Sequence, residues 1–318
     1  VNGLYVVFKK ELRDHFTSYR FVILFALIAM VSFITSYMVA IDLRENLEEL
    51  ASVRFPFLTL FNATGTLFST VQFVAFFGPL IGLVLGFDAI NRERAHRTLI
   101  KLVAQPIYRD AVVNAKFLAG VTTITIMLAS IILVIAGFGL AILGVVPGAE
   151  DILRLIVFFI ISVCYLSFWL GLAVLFSLLF KNIATSALAS VAVWIFLSFF
   201  VSLAAEAVAE AAFPVDSRNE TGIETIIKNT ELKRALTLCS PMVLYNEATS
   251  AIINPMSRSK KLFLTGPLEQ ILSTRFQNPL AVGQSLLVVF PYVTILIGMT
   301  LVCFAVSYVV FIVQEIRV

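Results

Sequence analysis

Six stretches of this chain, near residues 21–41, 68–87, 117–143, 155–180, 183–205 and 284–313, contain no Asp, Glu, Lys or Arg at all. A charge at the centre of a bilayer costs at least about 2.5–3.5 kcal/mol, so runs that exclude charge over spanning length are the mark of membrane segments. As helices rising about 1.5 Å per residue, each reaches across a hydrocarbon layer roughly 30 Å thick. The fold expected is an all-α membrane protein with six transmembrane helices. Composition agrees: 60% of the 318 residues are hydrophobic and 14% charged, where a soluble domain has about 45–50% and 25%. Only Lys181 and Asn182 join the fourth and fifth runs, which must therefore form a tight hairpin.

Orientation follows from the short basic loops. Lys9, Lys10, Arg13 and Arg20 precede the first run; Arg92, Arg94, Arg97, Lys101, Arg109 and Lys116 follow the second; Lys181 and Arg317 fall on the same side. That side reads as the cytoplasm and holds both termini. Asp42, Glu45, Glu48 and Glu49 after the first run, and Glu150 and Asp151 after the third, fall outside. The chain divides into an amphipathic leader (1–19), a cytoplasmic loop (88–116) and a long outer segment (206–283) around one transmembrane domain (1–318). Within the leader, Leu4, Phe8, Leu12 and Phe16 recur every fourth residue among Lys9, Lys10, Glu11, Arg13 and Asp14, the pattern of a helix lying in the membrane interface. This leader does not read as a cleavable signal. In the outer segment, Ile223 to Leu238 is patterned as a helix, and Ser240-Pro241 starts another that Asn254-Pro255 stops. Ser257 to Lys261 reads as a polar turn and Leu262 to Phe276 as a further helix.

Several chemistries are excluded. No glycine is followed by lysine, so the chain has no phosphate-binding G-x-x-x-x-G-K-[ST] loop, and any ATP and Mg belong to another subunit. His15 and His96 are the two histidines, neither lies in a span, and no His/Cys set has metal-ligand spacing. No catalytic set, cofactor site or metal site is expected. Cys164, Cys239 and Cys303 are an odd number with no evident disulfide set. The basic residues flank apolar runs rather than forming a nucleic-acid surface. Asp88, Glu150, Asp151, Arg154, Glu206 and Glu315 all lie at span ends, which argues against coupling to ions at mid-membrane.

Two rows within spans stand out. Gly78, Gly82 and Gly86 form a ridge that another backbone can approach closely, either within the subunit or at a moving or dimeric interface; Pro79 beside them should distort the helix. Ser186, Ser190, Trp194, Ser198, Ser202, Glu206 and Glu210 recur every fourth residue. Four residues advance about 400°, so the row winds around its helix. Its outer part, Ser198, Ser202 and Glu206, either lines a wet crevice or packs against other helices.

The loop after the second run is the most specific feature. From Asp88 it reads DAINRERAHRTLIKLVAQPIYR to Arg109, and Lys116 opens the third run. Thr98 can cap a short helix whose apolar face is Leu99, Leu102 and Val103, ended by Pro106. This loop resembles the first cytoplasmic coupling segment of type-2 ABC exporter permeases: an acidic residue, E-R-E-x-G-T-L, a short helix, P-[VI]-x-R and a lysine. Asp88, Glu93, Thr98, Leu99, Pro106, Arg109 and Lys116 match; Ala95 replaces a glutamate and Arg97 a glycine. Phe8 to Arg13 resembles the family's elbow helix, Ser240-Pro241 a recurring outer motif, and Gln314-Glu315-Ile316-Arg317 a familiar ending, so the resemblance covers essentially the whole chain.

The resemblance implies a multi-pass protein of a prokaryotic plasma membrane that pairs with a second permease copy and with nucleotide-binding ATPase subunits. Glu93, Thr98, Leu99, Leu102, Val103, Pro106 and Arg109 would carry coupling to the ATPase. Spans two and five would flank the dimer axis and the path, and the outer segment would cap it. Two alternatives stand beside the exporter. One is a mechanical permease acting on an extracytoplasmic partner, as in metalloenzyme maturation. The other is an ion-coupled secondary transporter, which would act without any ATPase.

Overall fold

A computed structural model describes residues 3–45, 56–61, 69–98, 108–144, 146–214, 223–254 and 281–313. Among them there is no β-strand, and six helices are long and apolar enough to cross a membrane, as the charge-free runs predict. In chain order the helices are α1 (Gly3–Phe16), α2 (Tyr19–Glu45), the single turn α3 (Pro56–Thr59), α4 (Thr70–Gly86), α5 (Asn91–Ala95), α6 (Arg109–Leu143), α7 (Ala149–Leu179), α8 (Ile183–Ile195), α9 (Val201–Ala212), α10 (Ile223–Thr237), α11 (Pro241–Ile253) and α12 (Val282–Val313). A π-helical turn, Phe196–Phe200, joins α8 to α9, so the two make one span. That span runs to Ala212, past the expected end at 205, because residues 204–212 are rich in alanine, the best helix former.

Local chemistry sets the boundaries. Ser69 caps α4: its hydroxyl accepts from Gln72 N–H at 3.1 Å, and Gln72 Oε1 accepts from Ser69 N–H at 3.2 Å. Asn182 Oδ1 caps α8 by accepting from Ala184 N–H at 3.1 Å, which lets two residues reverse the chain between α7 and α8. Gly144, at φ 64°, ends α6 in the left-handed conformation that glycine adopts without penalty.

Helix α7 is the hub, packed by α4, α6, α8, α11 and α12. Its Trp169, Tyr165 and Phe158 are fully buried. The glycine ridge of α4 faces this hub, within the subunit. A Cβ on Gly82 would lie 2.8 Å from the Leu166 carbonyl oxygen, and one on Gly86 would lie 2.7 Å from Ala173 Cβ; at Gly78 it would meet Leu166 Cδ1 at 2.9 Å. No side chain fits there, so the four-residue spacing serves backbone-to-backbone packing of spans two and four.

The same pair of helices solves a problem created by Pro79. Proline has no N–H, so within α4 the carbonyl of Ala75 loses its helical partner. The Tyr165 hydroxyl of α7 donates to that carbonyl at 2.8 Å. We expect Tyr165→Phe to cost about 1–3 kcal/mol, the penalty for stranding a buried acceptor. In a Pro79→Ala background the restored N–H can fill the same carbonyl, and the loss should shrink. Thermal unfolding of the four variants of this cycle checks the coupling; equal losses in both backgrounds would refute it.

At the far end, α11 is wedged among the spans, with Leu244, Tyr245, Ala248, Thr249, Ala251 and Ile252 fully buried. Tyr245 stacks on Tyr165, ring centroids 4.4 Å apart, and its hydroxyl lies 2.9 Å from Ser162 Oγ. The buried Arg154 of α7 binds Glu150 at 2.8 Å and donates to the Ile252 carbonyl at 3.0 Å and to Ser285 Oγ at 3.4 Å. It thereby satisfies the C-terminal end of α11 and ties it to α7 and α12. Helix α10 is fastened to α9: the Asn229 amide donates to the carbonyls of Ala209 and Phe213 at 2.9 and 2.8 Å, and Lys233 pairs with Glu206 at 2.6 Å. The turn 257–261 and the helix expected over 262–276 lie outside the described residues.

Candidate functional site

At the end of the bundle opposite α11, five elements meet around the short helix α5. Lys116, near the start of α6, places its ammonium 2.9 Å from Glu11 Oε1 of α1 and 3.0 Å from Glu93 Oε1 of α5. Lys10 of α1 reaches the same two oxygens, at 3.0 and 3.3 Å. Two ammonium groups thus alternate with two carboxylates. The side chains of Lys116, Glu11 and Glu93 are only 3%, 6% and 8% exposed, whereas Lys10 is half exposed. Inside a low-dielectric setting such charges persist only when each meets its opposite, and here each does.

The electrostatics follow. Burial alone would raise the Glu11 carboxyl, but Lys116 and Lys10 outweigh it and hold the group below the ordinary carboxylate value. Burial opposes the charge on Lys10, but Glu11 and Glu93 raise it above the usual lysine value. His15 next to them is pushed down to about 4, chiefly by burial, with Lys116 and Arg92 adding to the effect, so it is neutral at pH 7. More exposed pairs ring the cluster: Lys10–Asp14 at 3.7 Å, Arg92–Asp14 at 3.8 Å and Arg20–Asp88 at 3.4 Å. Exposed pairs of this kind are worth about 0–1 kcal/mol each.

Two serines from the α7–α8 hairpin fix the backbone on either side of Asp88. Ser177 Oγ accepts from the N–H groups of Ile90 and Asn91, at 2.9 and 3.1 Å, which are orphan donors at the start of α5. Ser186 Oγ donates to the Phe87 carbonyl, just past the end of α4, at 2.9 Å. Helix α5 is thereby tied to α1, α6 and α7 by charge or hydrogen bonds, and the link that joins it to α4 is tied to α8. A displacement of α5 cannot occur without loading all of them.

The residues singled out in the sequence fall as follows. Glu93 points inward, to Lys116 and Lys10, so its carboxylate braces the segment from behind and is not presented at the surface. The Thr98 hydroxyl donates to the Glu93 carbonyl at 3.2 Å and closes the turn after α5. Leu99, Leu102, Val103 and Pro106 lie outside the described residues. Arg109 is the first residue of α6. In span five Ser186, Ser190, Trp194 and Ser198 are buried, Ser202 is half-buried, and Glu206 is exposed on its pair with Lys233. Beyond Ser198 the buried positions pass to Ala205 and Ala209, as the winding of a four-residue row requires.

Lys10, Glu11, Ser177 and Ser186 escaped the sequence reading as members of this site. The one available signal was Glu11, a carboxylate four residues from Val7 on what proves to be the buried side of α1.

Arg97 adopts φ 55°, the left-handed region. A non-glycine residue pays about 1–2 kcal/mol there, which explains on this backbone why glycine suits the matching position of E-R-E-x-G-T-L. Arg97→Gly is expected to steady the turn by roughly 1 kcal/mol, read as slower amide exchange from His96 to Thr98. Arg97→Val should do the reverse. Faster exchange in the glycine variant would contradict the assignment.

Among the described residues, no group of His, Cys, Asp and Glu could hold a metal ion. A search among curated proteins finds no match. A family comparison does. Residues 5–315, from within α1 to just past α12, match the family described as ABC-2 family transporter protein. With its six spans and an internally braced loop after the second, this chain belongs to the ABC-2 family of transporter proteins, as a membrane permease of an ABC transporter.

Proposed function

We infer that this permease is the membrane-spanning subunit of an ATP-driven exporter. A separate nucleotide-binding subunit, carrying ATP and Mg, performs the hydrolysis, and the permease does no covalent chemistry. The observation that carries this reading is the brace behind α5: Glu93 on Lys116 and Lys10, with Ser177 on the backbone of Ile90 and Asn91. Force applied to the loop from Asn91 to Arg109 reaches the elbow helix and spans two to five together. Thr98, Leu99, Leu102, Val103 and Pro106 form the surface offered to the ATPase, and Arg109 leads the chain back into span three. Glu93 acts from within. The charged end lies in the cytoplasm of a prokaryotic cell, with both termini, and a second permease copy completes the transporter, with spans two and five toward the shared axis. Ser198, Ser202 and the outer helices sit toward the exit of the path.

A mechanical permease acting on an outer partner is the second reading. It is favoured by the tie from Arg154 to both α11 and α12, which lets span movement pass to the outer helices.

The test is assembly and hydrolysis. Expressed with its ATP-binding-cassette subunit, the permease should purify as a stoichiometric complex that hydrolyses ATP, and the permease alone should hydrolyse none. Solute movement by the permease alone, driven by an ion gradient, would contradict the reading.

A further inference from the structure

A cavity of about 430 Å³ opens beside the brace, between the bend from α1 to α2 and the end of α4. That volume lies within the range of roughly 300–1,000 Å³ usual for small-ligand pockets. Its walls come from Glu11, Asp14, His15 and the stretch Thr17 to Phe21 on one side and from Val84, Leu85, Asp88, Ala89 and Arg92 on the other. Both sides lie where an apolar span begins or ends: α2 crosses from Tyr19, and the charge-free run of α4 stops at Phe87. The cavity therefore sits at the level of the lipid headgroups, and the exposed Tyr19 ring beside it marks the interface.

The lining has a definite chemistry. Phe21 and Leu85 supply a buried apolar floor. Arg20 and Arg92 carry guanidinium groups in long ion pairs, at 3.4 Å to Asp88 and 3.8 Å to Asp14, and Arg20 also lies over the Phe87 ring, 5.6 Å from its centroid. Each keeps further donors for a phosphate. Opposite them stand the carboxylates of Asp14 and Asp88, while Glu11 is taken up by Lys116 and Lys10. His15 adds no charge at pH 7. The cavity wall carries three carboxylates against two guanidinium groups, so it has no positive excess to hold a simple anion.

We propose that this cavity binds a membrane phospholipid whose headgroup carries both a phosphate and a primary ammonium, as in phosphatidylethanolamine. The phosphate bridges Arg20 and Arg92, the ammonium donates to Asp14 and Asp88, and the glycerol end rests on Phe21 and Leu85. A headgroup seated there holds the α1–α2 bend to the end of span two, next to the brace.

Native mass spectrometry of the full-length permease in detergent, offered equal amounts of phosphatidylethanolamine, phosphatidylcholine and phosphatidylglycerol, tests this. Phosphatidylethanolamine should be retained severalfold over the other two, since the trimethylated ammonium has no N–H to donate and the glycerol headgroup has no cation. Arg92→Gln should lower its retention roughly fivefold, the worth of one basic group at a membrane surface. Asp88→Asn should remove the preference for it. The more exposed Arg92 guards against a variant that merely misfolds. Soluble phosphoethanolamine in millimolar excess should leave the bound lipid in place. Equal retention of the three lipids, displacement by the soluble headgroup, or loss of the lipid when the ATPase subunit binds would each overturn the proposal. The last would assign the cavity to a protein contact. None of these outcomes depends on whether the permease exports.

Discussion

Lys116→Met is expected to release helix α1 from the bundle and to abolish coupled transport while leaving the six spans inserted. The ammonium neutralises Glu11 and Glu93 at 2.9 and 3.0 Å in a nearly water-free site. Methionine keeps most of the apolar stem, one atom shorter, but leaves two buried carboxylates facing each other, with Lys10 alone between them. Removing one partner of a buried charge set typically costs about 3–5 kcal/mol. The cost falls on the junction rather than on the membrane core, so proteolysis near Lys9 and amide exchange along α1 should rise together. The triple variant Glu11→Gln, Glu93→Gln, Lys116→Met removes the charges as a set and should recover much of the loss. Unchanged protection of α1 in Lys116→Met would refute the brace.

The same junction has a pH sign. The folded-state values of Glu11 and His15 are both lowered, the latter to about 4 from an ordinary 6.5. The docked state thus binds fewer protons than the released one. The contributions of His15 and Glu11 are in full force at neutral pH and are lost as pH falls, His15's between about 6.5 and about 4 and Glu11's below the ordinary carboxylate value.

How much of this the sequence disclosed depended on the kind of signal. Charge exclusion from the bilayer is absolute enough that all six spans could be read directly, and Pro241 after Ser240 marked the start of α11. Span ends were harder, because apolar content stops before the helix does: α6 begins at Arg109, eight residues before the charge-free run. The polar partners were mostly hidden. Glu11 sits among Lys9, Lys10 and Arg13 and looks solvated; only the packing of α1 along α6 turns it inward to Lys116. Ser177 is an ordinary serine until its span ends beside Asn91. The glycine row revealed close packing but not its partner, which is span four. The left-handed turn at Arg97 was visible only as a departure from the family pattern.

The second large effect is expected from Leu102→Asp. Leu102 lies outside the described residues; in the sequence Leu99, Leu102 and Val103 form an apolar pattern among basic residues, in a chain that belongs to the ABC-2 family. A helix as short as that pattern predicts would be marginal in water and would need a groove to cover it. A leucine buried at the centre of an interface can be worth a few kcal/mol, whereas a charge at its rim mainly adjusts rate. Leu102→Asp should therefore release the ATPase or uncouple its hydrolysis from transport, with the spans intact, and Arg94→Ala should do much less. The direct measurement is a crosslink from a cysteine at position 102 in the complex with the ATPase subunit. A crosslink to the ATPase, stronger when ATP is bound and lost when Lys116→Met unfastens the brace, is the result expected. No crosslink, together with full transport by Leu102→Asp, would contradict the account.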